Sequence, residues 1–132
     1  MQQGKRIIPV ILFCLYLTAV AFMCFAKPED MPQLPALWLG IPADKVGHFA
    51  MFLPFPFLAY LIFDNNDMNF IRKSCLLAVI LCFGAGMAIG TEQIQAVFAY
   101  RDASMDDFIA DMAGMGTGCL ITILYILFKN KR

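Results

Sequence analysis

Charge is scarce in this sequence, and what there is forms no basic patch. The 132 residues carry ten Lys and Arg against ten Asp and Glu, one His, and no formal net charge. With no basic tail and no cations interleaved with aromatics, nucleic-acid binding is not expected. CxxC pairs are missing as well. Cys14, Cys24, Cys75, Cys82 and Cys119 all fall inside apolar segments, without the spacings that hold a metal or a redox pair. Each reads as a small hydrophobe. No internal repeat or low-complexity tract occurs, which argues against a transport path built from two halves of one chain.

What is abundant is apolar surface. Hydrophobic residues make up 61% of the chain, and a single small domain cannot hide that much, because its surface-to-volume ratio is high. Lipid is the natural solvent for the remainder. A helix needs about 20 apolar residues to span the hydrocarbon core, and four stretches qualify: 7–25, 46–63, 74–95 and 108–128. The expectation is an all-α integral membrane bundle of four transmembrane helices, with residues 1–132 as a single membrane domain. The first stretch also resembles a signal peptide, with Lys5 and Arg6 in front. Its apolar run is longer than a signal h-region, and Cys24 occupies the −3 position of the candidate cleavage site, so a retained anchor helix is expected.

Lys and Arg near span ends set orientation. Lys5, Arg6, Arg72, Lys73, Lys129, Lys131 and Arg132 fall on one side, against Lys27, Lys45 and Arg101 on the other. Both termini are therefore expected in the cytoplasm. The acids run the opposite way: Glu29, Asp30, Asp44, Glu92, Asp102, Asp106, Asp107 and Asp111 lie on or toward the outer side. The outer loop, 26–45, holds Pro28, Pro32, Pro35 and Pro42, which rules out a continuous helix there. It also holds Trp38, a residue type enriched at membrane interfaces.

Four stretches concentrate polar residues at that outer side. In Asp44-Lys45-Val46-Gly47-His48 the acid and the histidine share a helix face. Glu92 and Gln95 share one by the same rule. The run from Arg101 through Ser104 to Asp107 leads into the fourth helix, where Ser104 fits an N-cap with Asp107 as its capping-box acid. Asp111 lies one turn deeper, about 6 Å further into the membrane. An intramembrane acid is costly and usually faces the bundle interior or pairs with a cation. Arg101, Lys45 and His48 are the basic groups expected near its depth. Small residues are placed to let the helices converge: Gly86 and Gly90 form a GxxxG in the third helix, and Ala110, Gly114 and Gly118 recur in the fourth. Asp107, Asp111, Gly114 and Gly118 fall on one stripe, and Pro54 with Pro56 should kink the second helix at mid-membrane.

Taken in order, Asp44-Lys45-x-x-His48-Phe49, Glu92-x-x-Gln95 and Arg101-x-x-Ser104-x-x-Asp107, followed by Gly114 and Gly118, resemble the VanZ-like family of bacterial membrane proteins. One departure is Asp111, where the family more often has Asn. The resemblance implies a multi-pass protein of the bacterial cytoplasmic membrane and cell envelope, in a family whose named example is associated with resistance to the glycopeptide teicoplanin. It implies no settled reaction.

The expected site is Asp44, Lys45, His48, Glu92, Gln95, Arg101, Ser104, Asp107 and Asp111. Its expected partners are membrane lipids and a cell-wall precursor or other lipid-linked substrate, and a homo-oligomer stays open. Three roles compete. The site binds or modifies an envelope component. Alternatively, it is an enzyme in which His48 is a general base, Glu92 or Asp107 orients or protonates, and Arg101 holds an anionic headgroup. The third role is interhelical glue or an ion path. A metal on His48, Glu92 and Asp107 is a variant of the second, but the spacing has no strong zinc signature, so neither metal nor cofactor is assigned.

Overall fold

Hydropathy and length predict four crossings, and a computed structural model of the chain has four helical segments long and apolar enough to make them, Arg6–Phe25, Ala43–Phe63, Phe70–Phe98 and Met105–Lys129. The structure describes residues 3–25, 36–98 and 104–130. Its helices are α1 (Gln3–Phe25), α2 (Ala43–Phe52), α3 (Phe55–Phe63), α4 (Phe70–Phe98) and α5 (Met105–Asn130). Each segment extends past its expected bounds by two to four residues at one or both ends. At the start of α4 a polar side chain supports the added turn: Asn69 Oδ1 accepts the Arg72 backbone N–H at 2.9 Å.

The second crossing is two helices, α2 and α3, joined at Leu53–Pro54. Neither Pro54 nor Pro56 has an N–H, so the i→i−4 ladder loses two consecutive alternate donors there. Both junction residues keep right-handed backbone angles (Leu53 φ −56°, ψ −47°; Pro54 φ −75°, ψ −18°), so the chain breaks its ladder without turning back. The helix thus breaks at the pair of prolines where a kink is expected.

Part of the loop between the first two crossings is more ordered than its prolines suggest. Among the described residues, Leu37–Trp38 (β1) pairs antiparallel with Ile41–Pro42 (β2). Leu39 (φ 53°) and Gly40 (φ 82°) make the turn, a two-residue connection with positive φ at both central positions, as hairpins prefer. This hairpin leads directly into α2.

The second and fourth crossings run parallel, with Lys45 beside Asp107, Phe49 beside Gly114 and Leu53 beside Gly118, and α2 lies most extensively on α5. Tyr60, Phe52, Phe55, Met115 and Thr122 are fully buried in the middle of the bundle. Tyr16 of α1 donates a hydrogen bond to the Met51 carbonyl, fixing the first crossing against the second. Ile8, Phe22, Val79, Phe83, Leu120 and Phe128 face outward, as side chains do when lipid is the solvent.

Close approach falls on other glycines than the GxxxG pair. A Cβ at Gly86 or Gly90 would meet nothing within 4 Å, so that pair does not pack within the described chain. On α5 the expectation holds. A Cβ at Gly114 would run into the Phe49 carbonyl and one at Gly118 into the Leu53 carbonyl. The glycine of α4 that is closely packed is Gly84, where a Cβ would come within 2.8 Å of the Phe55 ring.

Candidate functional site

The site is built by the contact between α2 and α5, which Gly114 and Gly118 permit. Lys45 and His48 lie one turn apart on α2, Asp107 and Asp111 one turn apart on α5, and the close backbones set these two pairs face to face. From α4, Glu92 closes the third side. His48 is 3% exposed, Glu92 6%, Asp107 3% and Asp111 0%, so the group is enclosed by protein.

His48 is at the centre. Its Nδ1 is 2.9 Å from Asp111 Oδ1 and 3.8 Å from Glu92 Oε1, and its Nε2 is 3.7 Å from Asp107 Oδ2. Lys45 Nζ donates to Asp107 Oδ1 at 2.6 Å, with Asp44 at 3.9 Å on the exposed rim. Thus Asp107 holds a cation on one oxygen and faces the imidazole with the other. Two buried oxygens, Glu92 Oε1 and Asp111 Oδ2, have no hydrogen-bond partner among the described residues. Native proteins leave few buried polar groups unsatisfied, because each costs its full desolvation.

Most of the expected residues converge. Asp44, Lys45, His48, Glu92, Asp107 and Asp111 meet in one group, and Gln95 is buried one turn along α4 from Glu92. Arg101 lies outside the described residues. The capping box at Ser104 is half replaced. The Ser104 carbonyl accepts the Asp107 and Phe108 N–H groups, both at 3.2 Å, as an N-cap should. The Ser104 N–H, however, goes to Glu92 Oε2 at 3.0 Å, because the carboxylate of Asp107 is engaged by Lys45. Glu92 thereby ties the start of α5 to α4. The metal-compatible trio is also different from the expected variant: His48, Glu92 and Asp111 each offer a ligand atom within 4.8 Å of the others.

Two apolar grooves flank the group. One of about 490 Å³ runs between α4 and α5 and is lined by Ile89, Glu92, Gln93, Ser104, Met105 and Phe108. The other, about 380 Å³, lies under the hairpin against Leu39, Ile41, Lys45, Val46, Phe49 and Ala110. Each groove has one member of the polar group in its wall, Glu92 in the first and Lys45 in the second.

Sequence reading missed a second polar cluster at the opposite end of the bundle. Lys129 pairs with Asp64, Tyr60 donates to Asp64 at 2.9 Å, and a cavity of about 350 Å³ is lined by Arg6, Asp64, Asn65, Tyr125 and Lys129, among others. The signal was present in the i, i+4 spacing of Tyr60 and Asp64, but span-end residues of mixed sign read equally well as solvated flanks.

The chain matches the VanZ/LLP1 family over residues 10–128. Among curated proteins it is similar to an uncharacterised protein of the fission yeast Schizosaccharomyces pombe, 30% identical over 115 residues, covering 86% of this chain and 62% of the relative. The chain thus spans about three-fifths of the length of the relative it matches. No solved structure matches. With the match running from the first crossing to the end of the fourth, and with the motif residues of α2, α4 and α5 gathered into one buried group, this chain is a multi-pass membrane protein that belongs to the VanZ/LLP1 family.

Proposed function

We propose that the protein is a VanZ-like component of the cell envelope that takes the polar headgroup of a membrane lipid, or of a lipid-linked envelope precursor, into the His48 group while the lipid's chains occupy the flanking grooves. The observation that carries this reading is the adjacency of a buried polar group to two apolar grooves that share its wall residues. A soluble ligand needs no apolar channel on either side of its polar contacts, whereas an amphiphile needs both kinds of surface at once. Ligand sites of this kind combine apolar walls with a few convergent polar groups. By the excess of basic residues at the opposite end, the site opens toward the outer leaflet.

A second reading, acid–base catalysis on the bound headgroup, is favoured by one detail. His48 is held at Nδ1 by Asp111 at 2.9 Å and faces Asp107 from Nε2 at 3.7 Å, an arrangement that orients the imidazole between two carboxylates for proton transfer. The link to glycopeptide resistance comes from the family and is part of the proposal. Deletion of the gene, followed by lipid and cell-wall-precursor profiling and a teicoplanin susceptibility test, examines these readings together. Loss of one lipid or precursor species, restored by the wild-type gene and not by His48→Ala, supports headgroup recognition. Unchanged lipids, precursors and susceptibility refute it.

A further inference from the structure

We propose that His48, Glu92 and Asp111 form a binding site for one divalent transition-metal ion, Zn²⁺ or Mn²⁺. The trio comes from three different helices, α2, α4 and α5, and all three residues are buried. Its ligand atoms lie within 4.8 Å of one another. Bonds of about 2.0–2.1 Å to one ion require ligand–ligand edges of about 2.8–3.4 Å for octahedral or tetrahedral geometry. The edge from His48 Nδ1 to Asp111, 2.9 Å, lies in that range, and the edge to Glu92, 3.8 Å, lies above it. A swing of the Glu92 carboxylate toward His48 and Asp111 closes the trio around one ion.

An independent observation points the same way. The two buried oxygens without a hydrogen-bond partner among the described residues, Glu92 Oε1 and Asp111 Oδ2, belong to two of the three ligands. A cation held by Glu92 Oε1 and by both oxygens of Asp111 satisfies both. It also balances charge: two carboxylates neutralise a divalent ion, leaving Lys45 and Asp107 as a separate ion pair. Without it, three buried carboxylates face one lysine and one histidine among the described residues, an arrangement that low dielectric penalises.

The surroundings of His48 suit a ligand. If Nδ1 binds the metal, the proton resides on Nε2, which faces Asp107 Oδ2 at 3.7 Å. Asp107 is in turn anchored by Lys45. A metal-bound histidine usually gives its other N–H to a carboxylate that fixes the ring, and Asp107 is the carboxylate that faces that nitrogen. The ligand types select the ion. One imidazole and two carboxylates suit Zn²⁺ or Mn²⁺ better than Mg²⁺ or Ca²⁺, which prefer oxygen alone, and no cysteine takes part. Three protein ligands leave a coordination position free, and Glu92 lines the groove between α4 and α5. On the headgroup-binding reading above, a lipid phosphate oxygen reaches the ion from that groove; metal binding itself does not depend on that reading.

The test uses the full-length chain purified in detergent, stripped with a chelator, and reloaded separately with Zn²⁺ and Mn²⁺. Bound metal is measured by elemental analysis after gel filtration. About one ion per chain is expected for the wild type and for Asp67→Asn, an exposed acid at the opposite end of the bundle, with loss of most of it in Glu92→Gln and Asp111→Asn. Asp107→Asn should still bind, with affinity lowered about 10- to 100-fold. Co²⁺ loaded into the wild-type protein gives a second readout that needs no variant: visible d–d bands displaced by Zn²⁺ are expected. Sub-stoichiometric metal with no Co²⁺ spectrum overturns the proposal, as does equal metal content in the wild type and the ligand variants. Metal bound with no lipid copurified would leave the metal site standing and refute headgroup binding. Lipid bound with no metal would do the reverse.

Discussion

Replacing Gly114 by alanine tests whether the small residues of α5 build the site or merely line a helix. An ideal Cβ at 114 would lie 3.0 Å from the Phe49 carbonyl carbon and 3.1 Å from its Cα, with the carbonyl oxygen closer still. That oxygen cannot swing away freely, since it accepts the Leu53 N–H at 3.0 Å just before the proline break. To regain ordinary contact at about 3.5 Å the helices must separate by about 1 Å. Overpacking of this kind costs about 1–3 kcal/mol. The same movement carries His48 from 2.9 Å to beyond hydrogen-bond reach of Asp111. Gly114→Ala should therefore lower thermal stability in detergent and abolish the complementing activity of the gene. Gly86→Ala is the matched control, because its Cβ meets nothing within 4 Å; it should be neutral or stabilising by up to about 1 kcal/mol. Equal melting temperatures and equal complementation for the two variants would refute the reasoning.

Three further outcomes follow from the same contacts. His48→Ala removes the main partner of a fully buried aspartate, so it should destabilise by about 3–5 kcal/mol, and pairing it with Asp111→Asn should recover part of that loss in a detergent melting assay. Asp44→Asn, at the exposed rim with its pair at 3.9 Å, should change stability by no more than about 1 kcal/mol. At the other end, Lys129→Met breaks the pair with Asp64; it should lower the melting temperature while leaving lipid copurification unchanged, separating the two polar clusters.

Much of this arrangement was legible in the sequence, for identifiable reasons. Span lengths are dictated by bilayer thickness, so the four crossings could be read directly. The stripe Asp107–Asp111–Gly114–Gly118 is a matter of helical period, and it is the face that α5 presents to α2. The break at Pro54 follows from missing donors. What escaped were features set by partner choice across helices. Glu92 caps the start of α5 because Lys45 has already engaged the capping-box acid, and nothing in the local spelling of Ser104 to Asp107 reveals the competitor. The GxxxG of α4 misled because spacing identifies a small face without saying which way it points; Gly84, outside the motif, is the one that packs. The hairpin at 37–42 depends on two positive-φ residues, of which Gly40 was visible and Leu39 was not.

The central claim is that the buried group around His48 receives a lipid headgroup, and the lipids that copurify with the protein test it most directly. Wild type and Glu92→Gln, solubilised from the same membranes and compared by native mass spectrometry, should differ: one lipid class retained on the wild type and lost from the variant. The same lipid held equally by both proteins would contradict the account.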